Sequence, residues 1–374
     1  MGDGTNAVRR VIKVGTSLLR GDADRSTAAV IADMAASLSR QQRRGERIAL
    51  VTSGAVGLGC ELLKLERRPG EVAALQAAAA VGQGRLMALY QDAFAIRGLA
   101  VAQVLLTRGD LASRRRYQRA CRTLEQLLQW GVVPIINEND TLATDELRFG
   151  DNDTLSALVA VAIGADELVL LTDVDSLYSV DPRADAEASP IAEVRDLAEL
   201  EQLRSVATGG GQWGTGGMTT KLTAARIATS SGIRVRLADG RDPLVLEAVL
   251  AGATVGTVFH PSPTPLTDRK GWLAHALLPK GSLHIDQGAE RALLERGASL
   301  LAVGIQAVEG LFERGEPVRV LASDGRELAR GLTSFNSEEL KVIIGLGSEA
   351  IRRQLGDVGD AVIHRDQLVL IAVP

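Results

Sequence analysis

Cysteine, histidine and aromatic residues are all scarce in this chain of 374 residues. Cys60 and Cys121 are its only thiols, which excludes a disulfide scaffold, and both fall in stretches that read as helical, where a small reduced side chain simply packs. The four histidines, His260, His275, His284 and His364, lack metal-ligand spacing, so a zinc centre and a cysteine or histidine nucleophile are not expected. Aromatics at 3% leave little for stacking bases. Lys and Arg number 42 against 46 Asp and Glu, a net charge of -4 that lacks the basic footprint of a nucleic-acid binder. No continuous run of about 18 apolar residues occurs, and the opening MGDGTNAVRR lacks the layout of a secretory signal. The expectation is a soluble cytoplasmic protein with a small ligand and no membrane partner.

What the chain does have is apolar material and glycine. Hydrophobic residues at 46% and charged residues at 24% suit a globular protein with more than one core, and the length is a prior for two domains. The 39 glycines point to tight backbone turns and to loops that approach a phosphate closely.

Apolar runs alternate with helical periods from the start. VRRVIKVG, RIALVTSG, AVAQVLLT, VVPIINEND and ELVLLTDV read as strands, with helices between them over residues 28–42, 72–97, 117–130 and 154–163. A further helix over 219–231 is followed by the strand-like IRVRLAD and VGTVF. Short β-branched runs separated by helices predict an α/β fold, an open and mostly parallel sheet with helices on both faces. Three prolines from Pro261 to Pro265 end this pattern, placing a boundary between a first domain of residues 1–265 and a second part of 266–374. There LHIDQGA, GIQAVEGLF, GEPVRVLASDG and ELARGLTSF predict a small β-rich barrel. From residue 266 onward 13 basic residues face 15 acidic ones, so neither part is electrostatically specialised.

Neither a P-loop nor a dinucleotide fingerprint is present, so a phosphate site must be built differently. The carboxyl edge of the predicted sheet supplies the candidates, since open parallel sheets bind ligands there. Lys13 ends the first strand, with Gly15, Thr16 and Ser17 after it. Ser53 and Gly54 end the second, where the free N–H groups of the next helix suit an anion. Asn137, Glu138, Asn139 and Asp140, together with Gly150, Asp151, Asn152 and Asp153, gather more polar side chains than helix capping needs. They suit an ammonium group, a magnesium ion, or both. Thr172 and Asp173 end the next strand, and a glycine loop from Gly209 leads to a helix carrying Lys221, an arrangement able to cover a polyphosphate while the lysine neutralises its end.

KVGTSLL, VTSGAVGLG, INEND, GDND, LLTDVDSLY, DPR and GTGGMTTK, in that order, resemble the glutamate 5-kinases of the amino acid kinase family. IDQGAERALLERGASLL, GLFERGEPVRV and GRELARG resemble the PUA domain that many bacterial members append. The resemblance implies an amino acid kinase fold, ATP with Mg2+, and conversion of L-glutamate to L-glutamyl 5-phosphate, the first step of proline synthesis. It also implies a homo-oligomer, dimer or tetramer, proline as feedback inhibitor, and a reductase that receives the acyl phosphate.

Position by position, the resemblance makes Lys13 and Lys221 phosphate-contacting lysines and Asp153 the carboxylate that holds them. It makes Ser53, Gly54, Asp140 and Asn152 glutamate-binding, and Thr172, Asp173, Thr215, Gly216, Gly217, Met218, Thr219, Thr220 and Lys221 nucleotide-binding, with Lys13 also on the nucleotide. The magnesium ligands are not implied. Two positions depart from the family pattern. Ser176 stands where glycine is usual, and Tyr117, Gln118, Arg119, Ala120 and Cys121 replace YLNAR in a helix rich in arginine, which reads as scaffold.

The near alternatives are kinases of N-acetylglutamate, aspartate, carbamate or UMP, and, from another class, RNA binding through the PUA-like part. Asp140 favours a free α-ammonium over an acetylated nitrogen, and the acidic balance of the second part disfavours RNA.

Overall fold

A computed structural model describes residues 7–20, 25–142, 152–180, 182, 185, 187–208, 217–356 and 359–371. The chain divides into two units, Met1–Leu266 and Thr267–Pro374.

The first unit is built on an eight-stranded sheet. Its long strands are β1 (Arg9–Val14), β2 (Arg47–Val51), β3 (Val101–Leu106), β4 (Val133–Glu138) and β5 (Glu167–Thr172). A small hairpin of β6 (Leu177–Tyr178) and β7 (Pro190–Ile191) stands apart, followed by β8 (Glu193–Val194), β9 (Arg234–Asp239) and β10 (Thr257–Phe259). The order is β3-β4-β2-β1-β5-β9-β10-β8, parallel throughout except where β10 meets β9. β5 is buried along its whole length, as a strand covered on both faces must be.

The helices are α1 (Thr16–Leu19), α2 (Thr27–Arg43), α3 (Ala55–Leu62), α4 (Val72–Ala95), α5 (Arg108–Ala112) and α6 (Arg114–Gln129). α7 (Asn152–Ala162), α8 (Leu197–Thr208), α9 (Gly217–Ser230) and α10 (Pro243–Leu250) complete them. The five helices expected from periodicity are thus present with ends shifted by a few residues, most at α6, which begins at Arg114. α6 buries Tyr117, Leu124 and Leu128 and leaves its arginines exposed, as a scaffold helix would.

Strand alternation places the chemistry. Ile12 and Val14 of β1 enter one core cluster with Ile31 and Leu38 of α2, Leu86, Tyr90 and Phe94 of α4, and Val249 of α10. A period of two turns Val11 and Lys13 to the other face, where α7 packs on β1. A lysine at the end of a central strand is therefore buried against a helix rather than solvated.

α4 is the described helix whose length and average composition would suffice to cross a membrane, with a mean hydropathy of 1.2 over its best window. The average comes from alanine. Gln83 and Arg85 interrupt any continuous apolar run, and Leu86, Tyr90 and Phe94 are core residues of the sheet's covering layer.

The second unit has α11 (Asp268–His275), β11 (Gly281–Ile285), α12 (Gln287–Arg296), β12 (Leu300–Leu301), β13 (Ile305–Gly310), β14 (Pro317–Leu321) and β15 (Glu327–Leu332). It ends with α13 (Ser337–Ile343), α14 (Ser348–Leu355), β16 (Ala361–Ile363) and β17 (Leu368–Leu370). A five-stranded sheet runs β13-β11-β14-β15-β17, beside the pair β12-β16. Its own core includes Leu283, Val318, Phe335 and Leu340. The four helices, seven to ten residues long, are too short to show a clear period amid strands, and two of them, α12 and α13, carry side-chain N-caps. Asp286 accepts from Ala289 N at 2.7 Å, and Asn336 and Glu339 form a reciprocal capping box.

Candidate active site

Three charged side chains from three elements meet behind the carboxyl edge of the sheet. Lys13 Nζ lies 2.5 Å from Asp153 Oδ1, and Lys221 Nζ lies 3.3 Å from Asp153 Oδ2. The Thr220 hydroxyl donates to Oδ2 at 2.7 Å, and Lys221 Nζ also donates to Gly217 O at 3.0 Å. Asp153 sits in the first turn of α7 and is 2% exposed. Burial opposes its ionisation most strongly, yet the Lys13 and Lys221 ammonium groups, with the Thr220 hydroxyl, hold its carboxyl below the ordinary value of 3.8. One buried carboxylate therefore pins two cations at a fixed separation. Thr220 and Lys221 belong to the first turns of α9, so the folding of that helix delivers both to Asp153.

Ser53 and Gly54 lie between β2 and α3. Gly54 takes φ 98°, a left-handed conformation that glycine adopts without strain, and is the N-cap of α3, so the first N–H groups of that helix face the loop. Two glycines hold α3 there. A Cβ at Gly82 of α4 would lie 1.8 Å from Ala55 O, and one at Gly59 of α3 would lie 1.8 Å from Ala78 O, so the two helices touch backbone to backbone.

Beneath Ser53 runs a network of amides. Asn152 Nδ2 donates to Ser53 Oγ and to Asn137 Oδ1, each at 2.9 Å, and to Thr52 O. Asn137 Nδ2 donates in turn to Gln83 Oε1 at 2.9 Å. Thr52 Oγ1 shares a hydrogen bond of 2.8 Å with Tyr90 Oη, a fully buried phenol whose pKa burial pushes up. Asn137 appears in the sequence only as part of a polar run, and Gln83 and Tyr90 give no signal there, because they reach the loop from the middle of a helix.

A cavity of about 590 Å³ opens over this network, lined among others by Lys13, Ser53, Gly54, Asn137, Asp140 and Asn152. Lys13 thus faces both the charged cluster and the cavity. No histidine lines it, and among the described residues no group of three or more His, Cys, Asp or Glu side chains is placed to hold a metal.

The remaining candidates lie to one side. Thr172 ends β5 beside the end of β1, its Oγ1 donating to Asp173 Oδ1 at 3.1 Å and its carbonyl accepting from Gly240 N at 2.8 Å. Neither Thr172 nor Asp173 lines the cavity. Gly217, Met218 and Thr219 form the first turn of α9, while Thr215 and Gly216 lie outside the described residues, as do Gly150, Asp151 and Asp181. Ser176 lies in a bend and is not among the residues of positive φ, so this turn has no need of the glycine expected there.

The model of the amino acid kinase family matches residues 8–239, and that of the PUA domain matches 281–355. The chain belongs to the amino acid kinase family. A protein of Synechococcus sp. (strain CC9902) named glutamate 5-kinase is 59% identical over 360 residues, spanning 96% of this chain and 98% of the relative. Another of that name, from Prochlorococcus marinus (strain MIT 9313), is 60% identical over 361 residues with the same coverage. Among solved structures, the carbamate kinase from Giardia lamblia bound to AMP-PNP shares the fold, with a TM-score of 0.50 and 16% identity over 69% of this chain and 99% of that one. The family match runs from β1 to β9, leaving β10 of the sheet outside it, and takes in every residue of the charged cluster and of the cavity discussed above.

Proposed function

We propose that this amino acid kinase transfers the terminal phosphoryl group of ATP to the side-chain carboxylate of L-glutamate, giving L-glutamyl 5-phosphate, the first step of proline synthesis. The names of the full-length relatives support the substrate. The observation that carries the chemistry is the Lys13, Asp153 and Lys221 cluster bordering a cavity that also holds Asp140.

A side-chain carboxylate with an ordinary pKa of about 4.3 is already an anion at neutral pH, so no protein base is needed. A carboxylate oxygen attacks the γ-phosphorus, the bond to the bridging oxygen breaks, and ADP leaves with that electron pair. The barrier is dominated by repulsion between two anions. Lys13 and Lys221 offset it, with the N–H groups of α3 directed at the substrate carboxylate. Asp140 receives the α-ammonium. The glycine loop, Thr172 and Asp173 take the nucleotide.

ATP is the donor that the kinase family implies. Magnesium belongs with its phosphates: the buried carboxylate of the site is committed to two ammonium groups, and Mg2+ is commonly held through substrate oxygens. The product is an acyl phosphate labile to water, so a cytoplasmic homo-oligomer that passes it to a reductase, with proline as feedback inhibitor, completes the reading. For the PUA unit we favour assembly or regulation over RNA binding, and a gel shift with structured RNA at moderate salt separates the two.

Hydroxylamine intercepts acyl phosphates, so glutamate and MgATP in its presence should yield the γ-glutamyl hydroxamate. ATP turnover without hydroxamate, or turnover with aspartate, N-acetylglutamate or UMP in preference to glutamate, would overturn the assignment.

A further inference from the structure

The cavity does not end where a bound amino acid would. From Gly54 it follows α3 through Gly57 and Cys60 to Glu61, a rise of about 10 Å along the helix axis, and it continues past the helix to Arg67 and Arg68. The two carboxyl carbons of glutamate are separated by four C–C bonds, about 5 Å when extended. A glutamate whose side-chain carboxylate lies at Lys13 therefore leaves the outer part unfilled. At about 590 Å³ the whole space falls among pockets of roughly 300–1,000 Å³ that enclose ligands larger than a single amino acid. The nucleotide does not account for the rest, since of its described candidate contacts only Lys13 lines the cavity.

The outer walls have a definite chemistry. Arg20, Arg67 and Arg68 line the cavity, all three are exposed, and none has an ion-pair partner among the described residues. Arginines elsewhere on the surface, such as Arg241, Arg314 and Arg326, do hold carboxylates. Leu65, left 42% exposed, and Leu75 add apolar surface. Leu75 lies at the outer end because α4 runs antiparallel to α3, with Gly82 against Ala55 and Ala78 against Gly59. A carboxylate carried on an apolar body meets both features, since guanidinium groups pair readily with carboxylates and leucine side chains gain from being covered.

We propose that the cavity admits, besides free glutamate, dipeptides with glutamate at the N-terminus and an apolar second residue, and that the enzyme phosphorylates their glutamate side chain. The inference rests on the proposed glutamate substrate. In such a ligand the side-chain carboxylate keeps its place at Lys13 and the free α-ammonium its place at Asp140. The α-carboxyl group is now a peptide carbonyl, so the chain continues outward along α3. The second side chain lies on Leu65 and Leu75, and the C-terminal carboxylate meets Arg67 and Arg68. One added residue lengthens the ligand by about 3.5 Å, to about 8–9 Å between its end carboxylates, and the long arginine side chains close the remainder. The transfer itself is unchanged: a side-chain carboxylate oxygen bonds to the γ-phosphorus, the bond from phosphorus to the bridging oxygen breaks, ADP leaves with that electron pair, and the peptide bond is untouched.

The test offers the full-length enzyme MgATP, hydroxylamine and either L-Glu-L-Leu or L-Glu-L-leucinamide, with the dipeptide γ-hydroxamate identified by mass so that glutamate freed by hydrolysis is not counted. L-Glu-L-Leu should give its own hydroxamate, and its KM should lie about tenfold or more below that of the amide, which lacks the terminal charge. In Arg67→Ala/Arg68→Ala the acid should lose that advantage, so that acid and amide have similar KM values, and the loss should exceed any change in the glutamate KM. No dipeptide hydroxamate, equal KM values for acid and amide in the parent, or a difference that persists in the variant would each overturn the proposal. The comparison of acid with amide in the parent needs no variant, so it decides even if the double substitution harms folding. Glutamate assayed alone separates the two readings: hydroxamate from glutamate but not from the dipeptide overturns this inference only, and none from glutamate overturns the substrate assignment beneath it.

Discussion

Lys13 Nζ stands 2.5 Å from Asp153 Oδ1, although the two residues are 140 positions apart and both are buried. The pair joins the central strand to the helix that covers it, and the second carboxylate oxygen carries Lys221 from α9. A cation pair that would repel in isolation is thereby held together by one buried carboxylate, with Lys13 at the cavity.

Removing the anion exposes that repulsion. Asp153→Asn leaves Lys13 buried without its counter-charge, a change that costs on the order of 3–5 kcal/mol. We expect a large fall in melting temperature, partly reversed by ATP or inorganic polyphosphate, which supply the missing negative charge. A variant that melts like the parent would show that the cluster contributes little to folding.

The same carboxylate makes stability depend on acid. Its folded pKa lies below the ordinary 3.8, so its contribution is present above that value and is lost as pH falls through the folded one. Asp239, lowered from the same value through Arg241 although burial opposes it, acts in the same direction. Denaturant titrations from pH 5 down to about pH 2 should therefore show parent stability falling more steeply than that of Asp153→Asn. Parallel curves would mean that Asp153 titrates alike in both states.

The proposed reaction sets Lys221 and Asp140 at opposite ends of the substrate. Lys221→Ala should lower kcat by on the order of 10²-fold or more with little change in glutamate affinity, since its charge acts on the transferring phosphoryl group. Asp140→Ala should do the reverse, raising the glutamate KM steeply, with some loss of kcat through misplacement of the carboxylate. Near-normal kcat in the first, or an unmoved KM in the second, would show that the two loops are misassigned.

Gly82→Ala tests the seating of α3. Its Cβ would lie 1.8 Å from Ala55 O and 2.4 Å from Gly59 N, both backbone atoms, so the helix must move. We expect a loss of about 1–3 kcal/mol in stability and a raised glutamate KM, because Ala55 begins the helix whose N-terminus faces the cavity. Gly84→Ala, with open space around its Cβ in the middle of α4, is the control: it should raise stability by up to about 1 kcal/mol through helix propensity and leave the glutamate KM unchanged.

The sequence by itself determined the alternation of strands and helices, and with it the mostly parallel sheet, because the buried strands are apolar runs and the helices carry their own period. It determined which loops hold polar side chains, since Lys13, Ser53, Asp140, Asn152 and Thr172 each follow or end an apolar strand. What local pattern left to the tertiary structure is the partnerships across the sheet. That Lys13 faces α7 rather than water follows from the two-residue alternation of β1 and the packing of α7 on that face. That Gln83 and Tyr90 reach under the substrate loop follows from the backbone contact of α3 with α4 at Gly59 and Gly82. Asp153 carries nothing in its local pattern to mark it as buried: at a helix start it reads as a cap, the family resemblance alone pairs it with the two lysines, and the convergence of β1 and α9 on α7 is what makes it the anion between them, since charges from distant segments can be paired only when the core beneath them has brought them together.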